Sequence, residues 1–324
     1  MTPPDGPPAV RVEGLTHAYP GRRRQPPRLA LDRLDLTIPR GCLFVLTGPN
    51  GSGKSTLFKI LSGLLLPSGG SIHIFEHDLI ADPRAARRGM GVVFQRPALD
   101  KHMTVLENLK IHADLHDLPD PLFRARLEAA LAWGDLRGRL NDRVSTLSGG
   151  LARQAELVKV LLHEPALLIL DEPTAGLDPG GRSAFLATLR RLKNRHGVTI
   201  LMTSHIFAEA EQADQVGILR RGTLLALDTP RALTRRLGEE ILVIDCDEPE
   251  RIAAALEDQP ALRTQIQNHE LRIQGTGLPE LIETLLKHHR ERIHALAIKQ
   301  PSLEDLYIHL TGRALARDEE EESP

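Results

Sequence analysis

The sequence predicts an α/β fold built on a parallel sheet, followed by a smaller α+β module. An apolar strand pattern, Leu43-Phe44-Val45-Leu46, passes through a glycine-rich loop into an apolar-rich helix, Leu57-Phe58-Lys59-Ile60-Leu61. The run Ala166-Leu167-Leu168-Ile169-Leu170 is too short for a helix and lies between Pro165 and Pro173, which suits a strand buried on both faces of a parallel sheet. From there strands and helices alternate, the order that builds such sheets. With 324 residues the chain slightly exceeds the size at which single cores divide, so two domains are expected.

Taken in order, Val10 to Leu15 alternates and reads as a strand ending near Tyr19, and Leu29 to Ile38 reads as a second strand after the polar loop Pro20 to Arg28. Pro39-Arg40-Gly41 is a turn, then come the glycine-loop strand and helix, closed by the breaker Leu66-Pro67-Ser68-Gly69-Gly70. Ser71–Phe75 and Met90–Phe94 read as short strands around a polar, Arg-rich segment. From Thr104 to about Gly138 the apolar period is helical, with Leu115, Leu118, Leu122, Leu127 and Leu131 on the pattern. Pro119 and Pro121 divide it into several short helices. Leu151–Leu162 is a helix after Ser148-Gly149-Gly150. Helix Gly181–Lys193, strand Val198–Thr203, helix Ile206–Ala213 and strands Val216–Leu219 and Thr223–Leu227 complete the first part. Composition shifts near Leu237-Gly238, and beyond it the order βαββαβ, from Glu240 to Ile298, predicts a ferredoxin-like module. A last helix, Leu303–Leu310, precedes an acidic run, Asp318 to Glu322, that reads as a disordered tail, as does the Pro-rich start.

Lys+Arg 41 against Asp+Glu 43 gives a formal charge of −2, without the basic excess of a nucleic-acid binder, so no nucleic-acid partner is expected. The cluster Arg22-Arg23-Arg24 sits in a loop and reads as a solvated patch. Cys42 and Cys246 are far apart and form no CxxC pair, which argues for a reducing compartment and against structural zinc. No apolar run approaches the ~20 residues of a membrane span, so any membrane role is expected to come through a partner.

Gly48-Pro49-Asn50-Gly51-Ser52-Gly53-Lys54-Ser55-Thr56 has the spacing of a phosphate-binding loop. Glycines let backbone N–H groups curl around an anion, Lys54 adds a positive charge near the terminal phosphates, and the Ser55 hydroxyl can ligate Mg²⁺. The loop opens onto a helix N-terminus, where the backbone dipole also favours phosphate. It implies a nucleoside triphosphate. Asp171 and Glu172 end the buried strand; in phosphate-loop enzymes the first acid there serves Mg²⁺, and Glu172 is placed to polarise a water attacking the γ-phosphate.

Leu147-Ser148-Gly149-Gly150, between the loop and the acidic strand, resembles the signature loop of ABC-transporter ATPases. The family's other markers follow in order across roughly residues 9–230. Tyr19 matches the aromatic that stacks on adenine, Gln95 the glutamine that reaches Mg²⁺ and water, Ala175-Gly176-Leu177-Asp178 the loop that crosses the dimer interface, and His205 the histidine that contacts the γ-phosphate. Leu151 and Ala152 depart from the glutamine and basic residue common after the signature. The endings Pro301–Tyr307 and Leu310-Thr311-Gly312, with Gln95–Leu99 and Met103–Leu109, resemble ATPase subunits of drug, polysaccharide and lipid exporters.

The resemblance implies a phosphate-loop NTPase fold of ABC type, with a parallel core, an antiparallel β subdomain and a helical subdomain at about 96–160. The ATPase domain would cover 9–237, the α+β domain 238–312, and unstructured ends 1–8 and 313–324. It further implies a dimer of ATPase subunits, identical or not, with each ATP between Gly48–Thr56 of one chain and Ser148–Gly150 of the other. A separate integral membrane permease would receive the motion, placing the chain at the cytoplasmic face of the membrane. An importer ATPase and a soluble non-transport relative are the alternatives. A ribosome-acting relative would carry two cassettes, and a chromosome-organising one a long coiled coil between Thr56 and Leu147; this chain has neither.

Overall fold

A computed structural model describes residues 6–21, 26–238, 240–256, 259, 262–267, 270–275 and 277–312. Arg22-Arg23-Arg24, residues 1–5 of the expected disordered start and the acidic tail lie outside them. The chain divides into two compact units at Leu227–Asp228.

The first unit carries strands β1 (Val10–Tyr19), β2 (Arg28–Ile38), β3 (Leu43–Thr47), β4 (Gly69–Ile74), β5 (His77–Asp78), β6 (Met90–Val93), β7 (Leu167–Leu170), β8 (Thr199–Ser204), β9 (Gln215–Arg220) and β10 (Thr223–Asp228). Its helices are α1 (Lys54–Leu61), α2 (Pro83–Arg88), α3 (Val105–Leu115), α4 (Asp120–Ala130), α5 (Gly149–Leu161), α6 (Pro179–His196) and α7 (Phe207–Ala210). One antiparallel sheet runs β2-β1-β4-β5 and a second sheet runs β10-β9-β3-β8-β7-β6, so the two-sheet α/β architecture expected is present. In the second sheet β6, β7, β8, β3 and β9 are parallel neighbours. Every residue of β3, β7 and β8 is buried, because apolar surface covers both faces.

The sheets share a core that includes Leu15, Leu31, Phe44, Leu57, Phe58 and Ile72. A separate cluster joins α3, α4 and α5 through Val105, Leu109, Ala113, Phe123, Leu127, Leu131 and Val158. There the sequence expectation fails in part: Leu115 is 77% exposed and Leu122 40%, since α3 stops at Leu115 and turns Val105, Leu109 and Ala113 inward instead. Pro119 and Pro121 separate α3 from α4, as expected, and sit at the start of α4, where proline's missing N–H costs nothing. The Arg-rich segment holds α2, capped by Asp82 accepting from the Ala85 N–H.

In the second unit, helix α8 (Pro230–Thr234) is followed by β11 (Ile241–Cys246), α9 (Pro249–Ala254), β12 (Leu262–Gln267), β13 (Glu270–Gly275), α10 (Leu278–His289), β14 (Ile293–Lys299) and α11 (Leu303–Thr311). The antiparallel order β12-β13-β11-β14 is the ferredoxin-like arrangement. Leu242, Ile244, Ile252, Leu271, Ile273 and Leu281 fill its core. α8 groups with this unit, so the division precedes the composition shift at Leu237-Gly238.

Candidate nucleotide site

Several of the residues singled out from the sequence follow the C-terminal ends of parallel strands, where α/β sheets bind ligands. The glycine loop follows β3, Gln95 follows β6, Asp171 and Glu172 follow β7, and His205 follows β8. The loop's shape depends on two glycines. Gly48 has φ 149° and Gly53 φ 109°; a Cβ would stand 2.1 Å from the Leu219 carbonyl oxygen at the first and 2.6 Å from that of Ala30 at the second. Inside the loop the buried Lys54 ammonium donates to the Gly48 and Pro49 carbonyls at 2.7 and 2.8 Å. The Ser52 hydroxyl is buried with no hydrogen-bond partner among the described residues.

A cleft of about 190 Å³ opens over the loop, lined by Asn50, Gly51, Gly53, Lys54, Ser55, Thr56, Tyr19, Arg28, Ala30 and Glu172. Tyr19 stands opposite Arg28 in the β1–β2 register, and its hydroxyl lies 3.3 Å from that of Thr56. Arg28, in the cleft wall, escaped the sequence reading. The only signal was that a cation opens the strand paired with the Tyr19 end of β1. A larger hollow of about 350 Å³ near Trp133, Leu161 and Leu192 has no phosphate loop in its wall.

Glu172 has φ 43°, a left-handed backbone uncommon away from glycine. The turn sends the two carboxylates to different partners. Asp171 Oδ1 accepts from the Thr203 hydroxyl at 2.7 Å, while that same hydroxyl oxygen accepts the Glu172 N–H at 2.9 Å. Glu172 Oε2 accepts from Gln95 Nε2 at 3.1 Å and lies 3.4 Å from His205 Nδ1. Burial pushes Asp171 above its ordinary value of 3.8 despite the Thr203 bond. Glu172 is held below the ordinary carboxylate value, chiefly by the hydrogen bond to His205 and against partial burial. Glu172 is therefore ionised at neutral pH.

Ser148 caps α5, its hydroxyl accepting from the Leu151 N–H at 3.3 Å. Asp178 caps α6 in the same way, accepting from the Gly181 N–H. Of the expected residues, Gly48, Pro49, Ser52, Gln95, Asp171, Ser148–Gly150, Asp178 and His205 are not among those lining the cleft.

Two buried networks behind the site were not legible in the motifs. The Arg153 guanidinium, on α5, donates to the Phe94 and Gln95 carbonyls and pairs with Glu156 at 2.8 Å, with both side chains almost fully buried. Glu156 also accepts the Ala98 N–H at 2.9 Å, so the segment after β6 is tied to the helix that Ser148 begins. Buried Glu209 accepts from Thr174 and Ser204, each at 2.7 Å, and thereby joins the chain after Glu172 to the end of β8.

Comparison with known proteins agrees with this geometry. Residues 31–175 match the profile of the family described as ABC transporter. The daunorubicin resistance ATP-binding protein DrrA3 of Streptomyces coeruleorubidus is 32% identical, the match covering 94% of this chain and 96% of that one. The chain belongs to the ATP-binding proteins of ABC transporters. The Nod factor export ATP-binding protein I of Rhizobium johnstonii is 33% identical over 98% of this chain and 100% of its own length. A solved ATP-binding subunit of an ABC transporter is 32% identical, covers 71% of this chain and 93% of its own, and superposes with a TM-score of 0.62. As an ABC ATPase this chain binds and hydrolyses ATP. No helix among the described residues is long and apolar enough to cross a membrane.

Proposed function

We propose that this ABC ATPase powers export through a separate integral membrane subunit, and that two copies close head to tail over two ATP molecules. One observation carries the reading. Glu172 lines the cleft with the phosphate loop and brings Gln95 and His205 to it, whereas Ser148–Gly150 is a second set of N–H donors at a helix start, with the Ser148 hydroxyl accepting from Leu151 within its own helix. A second chain supplying Ser148–Gly150 would complete the cradle. The full-length similarity to relatives named for drug resistance and Nod factor export supports the direction of transport. It would place the chain at the cytoplasmic face of the membrane.

In this scheme Tyr19 and Arg28 flank the base end, and the amides of Gly48–Thr56 cradle the phosphates. The Lys54 ammonium exchanges the Gly48 and Pro49 carbonyls for phosphate oxygens. Mg²⁺ fits the oxygen donors Ser55, Asp171 and Gln95, and the buried carboxylate of Asp171 gains a balancing charge. Bound there, the ion neutralises charge on the phosphates. Glu172, ionised and hydrogen-bonded to Gln95, accepts the proton of the attacking water. Gln95 and His205 hold the water and the γ-phosphate in line. Loss of the γ-phosphate releases the two halves, an order–disorder switch, and Asp178 carries the change across the interface.

Replacing the base tests the assignment. Glu172→Gln keeps the shape of the side chain and removes its charge. Hydrolysis should fall by more than about a hundredfold, while ATP affinity stays within about threefold of the parent in equilibrium binding. Parental turnover in the purified variant would remove Glu172 from the role of base.

A further inference from the structure

Far along the chain from the phosphate loop, three histidines converge. His112 and His116 are one turn apart at the end of α3, and His163 follows α5. One ring nitrogen from each lies within 4.8 Å of the others. We propose that His112, His116 and His163 form a binding site for a borderline divalent cation of the Zn²⁺ class.

One pair already stands at ligand spacing. Two nitrogens each about 2.0–2.1 Å from one tetrahedral metal stand roughly 3.3–3.4 Å apart. His112 Nε2 and His163 Nδ1 are 3.3 Å apart. His116 sits one helical turn beyond His112, the i, i+4 arrangement that puts two imidazoles on one face. Its ring stacks on that of His163, 4.1 Å between centroids with 5° between planes, so ligation turns the exposed His116 ring to bring a nitrogen toward the other two.

The outer shell fits as well. His163 Nε2 lies 3.2 Å from the Met90 carbonyl oxygen, which can only accept. The proton therefore sits on Nε2, and Nδ1 turns a bare lone pair toward His112. A backbone carbonyl holding the far nitrogen of a ligand imidazole is the usual support of a metal-bound histidine. Burial, with the neighbouring imidazoles, pushes His112 down to about 3 and His163 down to about 4, so both stay neutral donors at physiological pH. His116 is exposed, which leaves an approach from solvent and room for a water as fourth ligand.

Ligation would tie α3 to the end of α5. Through the Met90 carbonyl it would also reach β6, the strand leading to Gln95. The site is thus poised to stiffen the helical part of the first unit, independently of how nucleotide is clamped.

Titration of the full chain, free of nucleotide and of any polyhistidine tag, with Zn²⁺ tests this, with Co²⁺ as the spectroscopic substitute. One equivalent should bind per chain, Co²⁺ should give a visible d–d band, and Zn²⁺ should raise Tm. His116→Ala, at an exposed position, should weaken binding by more than about tenfold, since loss of even an outer-shell partner costs that much. It should also abolish the band and leave the metal-free Tm within about 2 °C. His112→Asn should behave likewise toward metal. No stoichiometric uptake by the parent chain, or uptake equal in the parent and both variants, would overturn the proposal.

Discussion

Thr203 is one hydroxyl serving two carboxylate residues: it donates to Asp171 and accepts from the Glu172 backbone. The neighbouring acids hold opposite electrostatic characters despite sharing that hydroxyl. Asp171 is buried and raised, whereas Glu172 is lowered by His205. For an acid with a raised folded value, the folded state binds a proton more readily than the unfolded chain. Stability therefore falls as pH rises from the ordinary 3.8 through the raised value, and the full cost is present above it. Asp171→Asn removes that cost while keeping the acceptor for Thr203. At pH 7.5, without Mg²⁺, the variant should melt roughly 2–4 °C above the parent, the effect of about 1 kcal/mol on a unit of 150–250 residues. The advantage should vanish toward pH 4, and Mg²⁺-dependent hydrolysis should be lost. A Tm equal to or below that of the parent at pH 7.5 would show that burial does not dominate at Asp171.

Between elements, the Arg153–Glu156 pair fastens α5 to the two carbonyls that begin the Gln95 loop. Taking one partner from a buried ion pair leaves an uncompensated charge and costs about 3–5 kcal/mol. Arg153→Ala should lower the urea midpoint accordingly, and kcat should drop because the Gln95 carbonyl loses its anchor. The double substitution Arg153→Met/Glu156→Met should recover much of the stability but not kcat. If Arg153→Ala leaves both urea midpoint and kcat at parental values, the pair does not hold the Gln95 loop. At this scale the sequence was legible where chemistry is contiguous. The phosphate loop, Asp171-Glu172 and Ser148–Gly150 are short runs whose spacing is their geometry. Arg153 and Thr203 were not legible, because their partners lie 59 and 31 residues away and meet only when α5 packs beside the end of β6 and β7 pairs with β8. Leu115 misled because an apolar residue at the end of a helix continues the helical period without facing its core. The cap of α2 was readable at Asp82-Pro83, but its Arg-rich composition outweighed it.

Over the whole molecule, the first unit carries the nucleotide cleft and the second a ferredoxin-like sheet with its own core. The βαββαβ order was readable because β11 is a short apolar run, β13 alternates and α10 carries an apolar stripe. The position of α8 was not, since the composition shift at Leu237-Gly238 comes after the division of the two units. The central claim concerns assembly: half of a nucleotide clamp lies on each of two chains. Light scattering on the Glu172→Gln protein with Mg·ATP tests it most directly. The account predicts a mass of two chains, twice 35.8 kDa, returning to one when Ser148→Arg is added in the same chain. A nucleotide-saturated protein that stays at the mass of a single chain would contradict it.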